Sequence, residues 1–219
     1  MNLIQGQQDR PLSTEGFRQR KNLFFALQRV EITRIFTSTL KRTIETARPL
    51  SKEKGVPIET VSELDEAGLG VFEGEHKVNF SDELSRQMYN DFLRDEINVV
   101  LPGGAENLRM LDQRILPALK KIMHAKTDSG HILLVGHRNV NKMIVKNLLG
   151  LTIKKGYRVE HENNWLYIYA LQRKEIFHTM IGAPHLPIEV APGYREIVSC
   201  PSCNPVINLL LISSLFARS

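Results

Sequence analysis

Ile132-Leu133-Leu134-Val135 sets four apolar side chains in succession and ends at Gly136-His137. Such a run fits a fully buried parallel strand, although periodicity alone leaves a buried helix open. Gly136 then permits a sharp turn, and from Asn139 a helical pattern runs to about Leu149. Earlier in the chain, residues 1–13 read as loop. Ser13-Thr14-Glu15-Gly16 offers a cap and early negative charge for a helix to about Gln28, with Phe17, Leu23 and Leu27 toward a core. The β-branched stretch Ile32 to Ser38 predicts a strand. Ser38 or Thr39 then caps a helix with Leu40, Ile44 and Ala47 on one face, closed by Gly55 and Pro57. A short strand is expected from Ile58 to Val61. The glycine-bearing loop Leu64 to Gly74, a mixed helical stretch at 79–97 and a turn at Pro102 to Glu106 follow. Asn107 to Lys126 is amphipathic, with Leu108, Leu111, Ile115, Leu119 and Ile122 in its stripe and a kink expected at Pro117. Trp165 to Leu171 and Glu175 to Ile181 alternate as two more strands about a Gln172-Arg173-Lys174 turn, with Trp165 in the core.

Strands alternating with helices predict a three-layer α/β/α sandwich with a mostly parallel sheet, occupying residues 1–181 as one domain. Residues 182–219 differ. Pro184, Pro187, Pro192, Pro201 and Pro205 forbid long regular structure there, and residues 206–216 are apolar without clear amphipathicity. The net charge of +5 is spread among interleaved acids and bases, which favours a small anionic ligand over a nucleic-acid groove. The 2 cysteines are too few for a disulfide scaffold and point to a reducing cytoplasm. Cys200-Pro201-Ser202-Cys203 has the spacing of half a zinc site, but no second pair completes it, so neither metal nor cofactor is expected. No apolar run approaches the ~20 residues of a membrane span, and the first residues lack the pattern of a signal peptide.

Three residues carry candidate chemistry. His137 stands where a buried strand stops, the place where open α/β sheets gather their ligands. Arg42 lies in the first turn of its helix, where a cation opposes the macrodipole unless an anion sits between them; a phosphate matches the guanidinium fork. Arg138 repeats that arrangement after His137. Glu66, in the glycine-bearing loop, could protonate a leaving alkoxide if its pKa were raised. Taken singly, the three read as a turn histidine, a surface arginine and a loop glutamate; Arg42 and Arg138, each opening a helix after a buried strand, together favour an anion site. Gly68, Gly70 and Gly74 do not have the dinucleotide-binding spacing.

Thr37-Ser38-Thr39-Leu40-Lys41-Arg42-Thr43 with Thr46-Ala47 resembles the arginine motif of the histidine phosphatase superfamily, the phosphoglycerate-mutase-like fold. Leu64-x-Glu66-x3-Gly70-x2-Glu73-Gly74 resembles its acid loop, and Gly103-Gly104-Ala105-Glu106 its Gly-Gly-Glu turn with one residue inserted. Val135-Gly136-His137 resembles its second histidine motif, with Gly-His-Arg in place of the usual Ser-His-Gly. Gly6-Gln7-Gln8-Asp9-x-Pro11-Leu12-Ser13-x2-Gly16 resembles the segment after its first motif. The resemblance implies a metal-free phosphatase acting on a small phosphorylated metabolite. A histidine in an Arg-His-Gly motif attacks phosphorus, a glutamate protonates the leaving group, and water releases phosphate. By motif, Arg42 is a phosphate clamp, Glu66 the proton donor, and His137 the second histidine, both catalytic and phosphate-binding. Phosphatase is favoured over mutase activity because no long insertion interrupts the chain.

The departure is the Arg-His-Gly motif itself, which belongs ahead of the Gly6 segment and is not in this sequence. The first strand of the family, central in a 3-2-4-1-5-6 sheet, goes with it. That predicts an unfilled slot separating the strand ending at His137 from the strand near Trp165 by about 9–10 Å, since paired strands lie ~4.8 Å apart. Two rows of unpaired backbone groups would face that slot. Either the chain is amino-terminally incomplete, which the expense of deleting a central strand favours, or it is a pseudo-enzyme that fills the slot otherwise and binds phosphate esters without turnover. On either view little activity is expected of this polypeptide.

Overall fold

The computed structural model describes residues 3–124, 130–159, 165–170, 175–180 and 208–213. Ser13 accepts from Gly16 N and so caps α1 (Thr14–Leu27). Leu23 and Leu27 of α1 are buried, but Phe17, expected in the core, is 39% exposed. It lies against the Arg20 guanidinium instead, because the buried stripe runs through Gly16, Gln19, Asn22 and Leu23. Strand β1 (Ile32–Thr37) leads to α2 (Lys41–Lys54), which ends at Gly55 in the left-handed region. Short β2 (Ile58–Thr60) precedes the loop with its two 3-10 turns at Ser62–Leu64 and Gly70–Phe72. Helix α3 (Glu83–Arg94) is capped by Asp82, and α4 (Leu108–Met123) by Asn107. All five expected stripe residues of α4 are buried, and Pro117 lies within the helix. Strand β3 (His131–Gly136) and α5 (Arg138–Leu148) follow as the apolar run requires. A short α6 (Ile153–Tyr157), capped by Thr152, has no counterpart in the sequence reading. Strands β4 (Trp165–Ala170), β5 (Glu175–Met180) and β6 (Asn208–Ser213) complete the sheet.

Among the described residues the six strands are ordered β2-β1-β3-β6-β4-β5, all parallel except β4. Alternation along the strands feeds two cores. Ile35, Leu133, Val135, Leu166, Ile168 and Ile212 meet α1 and α2 on one face. Phe36, Ile132, Leu134, Tyr167 and Tyr169 meet α4 and α5 on the other. A third cluster, Ile4, Phe72, Tyr89, Phe92, Leu101 and Ala105, ties α3 to the acid loop.

The slot expected at the centre of the sheet is not open. Residues 208–213, within the stretch read as a tail, form β6 and pair with β3 in parallel and with β4 in antiparallel register. The physical reason is the one that made an empty slot expensive: buried N–H and C=O groups on both neighbours need partners, and an apolar segment supplies them. The Gln172-Arg173-Lys174 turn, residues 182–207 with the Cys200–Cys203 pair, and residues 125–129 at the end of the predicted fourth helix lie outside the described residues. Among the described residues, no helix is long and apolar enough to cross a membrane.

Candidate active site

Strands β1 and β3 are neighbours and run the same way, so the turns leaving them open at one edge of the sheet. One turn carries Ser38 into α2, whose first turn holds Arg42; the other carries His137, the residue preceding α5. His137 makes no capping bond through its side chain. Its Nδ1 lies 3.3 Å from Arg42 Nε, and its Nε2 lies 2.8 Å from Ser38 Oγ. A guanidinium only donates, so Nδ1 accepts, and the proton of the neutral ring sits on Nε2 and is given to Ser38. Ser38 Oγ also accepts from Leu40 N at 3.2 Å. Its own proton therefore goes to Thr43 Oγ1 at 2.9 Å, which donates onward to Leu40 O at 2.8 Å. His137, Ser38 and Thr43 are all buried. Burial first, then the positive charges of Arg42 and Arg114, hold the His137 pKa well below its ordinary 6.5, so the ring is neutral.

This explains why neither Ser38 nor Thr39 caps α2 as expected. Leu40 takes the cap position without a side-chain bond, while Ser38 serves His137 and Thr39 turns to Asp65. The amino end of α2 is met by carboxylates instead: Lys41 N donates to Asp9 at 2.7 Å and Thr39 N to Asp65 at 2.7 Å. Arg42 is 3% exposed. Its Nη1 donates to Gln8 O at 2.8 Å and its Nη2 to Gly6 O at 2.9 Å, folding the amino-terminal segment over the guanidinium. Burial lowers its pKa against the opposing charges of Glu66, Asp9, Asp65 and Glu73.

Glu66 reaches the amino end of α5. Its Oε2 accepts from Asn139 N at 3.4 Å, and its Oε1 from its neighbour Ala67 N at 2.9 Å. The residue is half-buried, but its carboxyl is closely surrounded. Desolvation raises its pKa, opposed by the Ala67 N–H and the charge of Arg42. The loop that carries it is fastened to α4. Arg114 forms a two-pronged ion pair with Glu106, Nε to Oε1 and Nη2 to Oε2, each 2.7 Å. The same guanidinium donates to the carbonyls of Glu63 at 2.8 Å and Asp65 at 3.0 Å. Glu106 completes the clasp by accepting from Gly68 N at 3.2 Å. Glu73 Oε1 accepts from both Gln7 N and Leu69 N at 2.9 Å, joining the loop to the amino-terminal segment.

The structure thus puts Arg42 and His137 in direct contact and brings Glu66 to the first turn of the helix that His137 precedes. Asn139 takes part through its backbone. Asn141 is buried beneath Gly136, where an added Cβ would lie 2.5 Å from Asn141 Oδ1. Gly136 is therefore needed for close packing, while its φ lies outside the left-handed region. Sequence reasoning missed Ser38 as a partner of His137 and missed Arg114 altogether. Ser38 showed only its capping chemistry, and Arg114 is one of several cations on the polar side of an amphipathic helix. Among the described residues, no group of three or more histidines, cysteines and acids is placed to hold a metal ion.

The family model described as the histidine phosphatase superfamily (branch 1) matches residues 1–181. The chain belongs to this superfamily. It is 26% identical over 152 residues to the adenosylcobalamin/alpha-ribazole phosphatase of Escherichia coli K12, covering 68% of this chain and 72% of that protein. It is 33% identical over 151 residues to a Klebsiella pneumoniae protein called "Probable phosphoglycerate mutase GpmB", covering 68% of this chain and 67% of that one. In fold it is similar to the alpha-ribazole phosphatase of Shigella flexneri, with a TM-score of 0.65 at 21% identity over 86% of this chain and 87% of that chain.

Proposed function

We propose that this domain binds the phosphoryl group of a small phosphorylated metabolite beside Arg42 and His137, at the amino end of α5, and belongs to phosphomonoester hydrolysis through a phosphohistidine. The observation that carries the reading is the meeting of three residues distant in sequence: Arg42 against His137, and Glu66 on the backbone of Asn139. In the reaction an imidazole forms the N–P bond as the P–O bond to the alcohol breaks. The leaving oxygen takes its proton from Glu66, whose raised pKa keeps that proton available. Arg42 and the α5 N–H groups balance the charge on the remaining phosphoryl oxygens. Water then attacks the phosphohistidine: the new P–O bond forms as the N–P bond breaks, the ionised Glu66 takes the water's proton, and phosphate leaves with the imidazole restored.

The sequence supplies no attacking histidine at the matching position, so the polypeptide of residues 1–219 is expected to hold a phosphoester without turning it over. Alpha-ribazole phosphatase and mutase relatives support a small phosphorylated metabolite as the ligand class, and the low cysteine usage supports a cytoplasmic setting. A second reading is a pseudo-phosphatase that only binds phosphate esters. The occupied slot favours it, because β6 stands where a histidine-bearing strand would have to lie. The two readings separate on a generic aryl phosphate assayed with this polypeptide and with one preceded by an apolar strand ending in Arg-His-Gly. Turnover only by the extended chain, lost again on Arg42→Ala, supports the hydrolase. Tight phosphate binding by the short chain, with no turnover by either, supports the binding module. Equal turnover by both overturns the placing of the nucleophile.

A further inference from the structure

Among the described strands, the last in sequence lies centrally in the sheet. β3 and β4 do not pair with each other; each pairs with β6, from Ile132↔Leu209 to Gly136↔Ser213 on one side and from Ala170↔Asn208 to Leu166↔Ile212 on the other. β2, β1 and β3 form one parallel set, while β4 and β5 form an antiparallel pair. Residues 181–207 separate β6 from β5.

We propose that the gap between β3 and β4 is a strand-accepting site, occupied here by the chain's own residues 208–213, and that an unlinked apolar peptide of that pattern binds there in its place. Two features of the gap make it a site. Both edges present buried backbone donors and acceptors, so an occupant gains a full ladder on each side, the mode by which sheets take up extended peptides. The side chains flanking the gap are apolar on both faces of the sheet: Leu133, Val135, Leu166 and Ile168 toward α1 and α2, and Ile132, Leu134, Tyr167 and Tyr169 toward α4 and α5. An occupant must therefore be apolar at successive positions rather than at alternate ones. Leu209-Leu210-Leu211-Ile212 has that pattern, and Ile212 is fully buried among the first set. The site also has a polarity. Parallel register with β3 sets the occupant's carboxyl end level with Gly136, one residue before His137. Whichever strand fills the gap determines what is delivered to that edge of the candidate site.

The test uses the full chain with a protease recognition sequence placed within residues 187–199. After cleavage under native conditions, a fluorescent synthetic peptide spanning residues 205–215, with lysines added for solubility, is supplied in excess. The labelled peptide is expected to co-elute with the folded core at close to one per chain and to displace the clipped segment. Leu210→Pro in the peptide, which removes a ladder donor, should cut uptake at least tenfold, and so should Ile212→Asp. Retention of the clipped segment with no uptake of label makes β6 a built-in strand and overturns the proposal. Unfolding on cleavage that the peptide does not reverse also overturns it, as does equal uptake of the proline variant. No readout depends on phosphate binding or turnover, so the outcome is independent of the proposed function.

Discussion

Replacing Arg114 with methionine keeps an unbranched side chain on α4 and removes the guanidinium that fastens the acid loop. The ion pair it destroys is largely enclosed, with side-chain exposures of 22% for Arg114 and 15% for Glu106. Two charge-assisted bonds of 2.7 Å disappear, together with donors to the carbonyls of Glu63 and Asp65. Glu106 keeps its bond from Gly68 N but is left as a poorly solvated charge. Removing one partner of a fully buried pair destabilises by about 3–5 kcal/mol. Water reaches part of this pair, so a loss of about 3 kcal/mol is expected, roughly a hundredfold in the folding equilibrium. For a chain of this size that corresponds to a melting temperature lower by about 6–12 °C. The assay is urea denaturation of wild type, Arg114→Met, Glu106→Leu and the double variant. The double variant should recover part of the loss, with a coupling of about 1.5–3 kcal/mol, because it no longer leaves a charge stranded. A loss below about 1 kcal/mol, or strict additivity, would refute the claim that this pair anchors the loop.

Gly70 has φ +57°, and a Cβ there would lie 2.0 Å from Pro102 O, so Gly70→Ala should destabilise by about 2–4 kcal/mol in the same assay; a change under about 0.5 kcal/mol would mean that the two loops are not interlocked. Ser38→Ala removes the hydroxyl that accepts the His137 Nε2 proton and should lose about 1–3 kcal/mol. In wild type, nitrogen NMR at pH 7 should show a neutral His137 protonated on Nε2, and a charged ring or an Nδ1–H tautomer would contradict the assigned network. The Glu66 pKa is raised on folding, so above 4.5 the folded chain holds more protons than the unfolded one, and stability falls as pH rises through the raised value. Glu66→Gln should therefore gain on wild type as pH rises above 4.5 through the raised value in denaturation curves; a pH-independent difference would mean that the folded-state pKa is not raised.

The alternation of apolar segments was enough to predict the layers, because burial on two faces of a parallel sheet leaves continuous runs such as Ile132–Val135, and one-sided burial leaves the five-residue stripe of α4. Helix ends were legible where the cap acts locally, as at Ser13 and Asn107. They were misread at Ser38 and Thr39, whose hydroxyls answer to His137 and to Asp65, residues brought near only by folding. The same distinction divides the site. Arg42, Glu66 and His137 could be named because each stands at a chemically awkward place along the chain or within a matching motif. The Arg114–Glu106 clasp could not, since its meaning lies in the loop carbonyls it gathers. Phe17 fitted a helical stripe, yet the stripe that packs is rotated toward Gly16 and Gln19. The place of β6 was beyond any local signal, because an apolar run after several prolines says that it must be buried but not between which strands.

On the proposed reading, in which Glu66 delivers a proton, the charges around Arg42 give it a second role. One guanidinium faces the carboxyls of Glu66, Asp9, Asp65 and Glu73. Asp9 and Asp65 are engaged at the amino end of α2, and Glu73 accepts two backbone bonds. Glu66 is the member whose pKa burial already raises. A dianion arriving beside Arg42 and the first N–H groups of α5 would push that pKa further up, by repulsion and by competing for Asn139 N. Anion binding and protonation of Glu66 are then linked, and the bound state would carry Glu66 in the acid form that the proposed reaction uses. Sulfate, whose charge does not change near neutrality, isolates the effect. Calorimetric titration in buffers of different ionisation enthalpy should show proton uptake on sulfate binding near pH 7. Affinity should rise as pH falls toward 6, and both effects should vanish in Glu66→Gln. Sulfate binding that takes up no proton would mean that the carboxyl and the anion do not share a site.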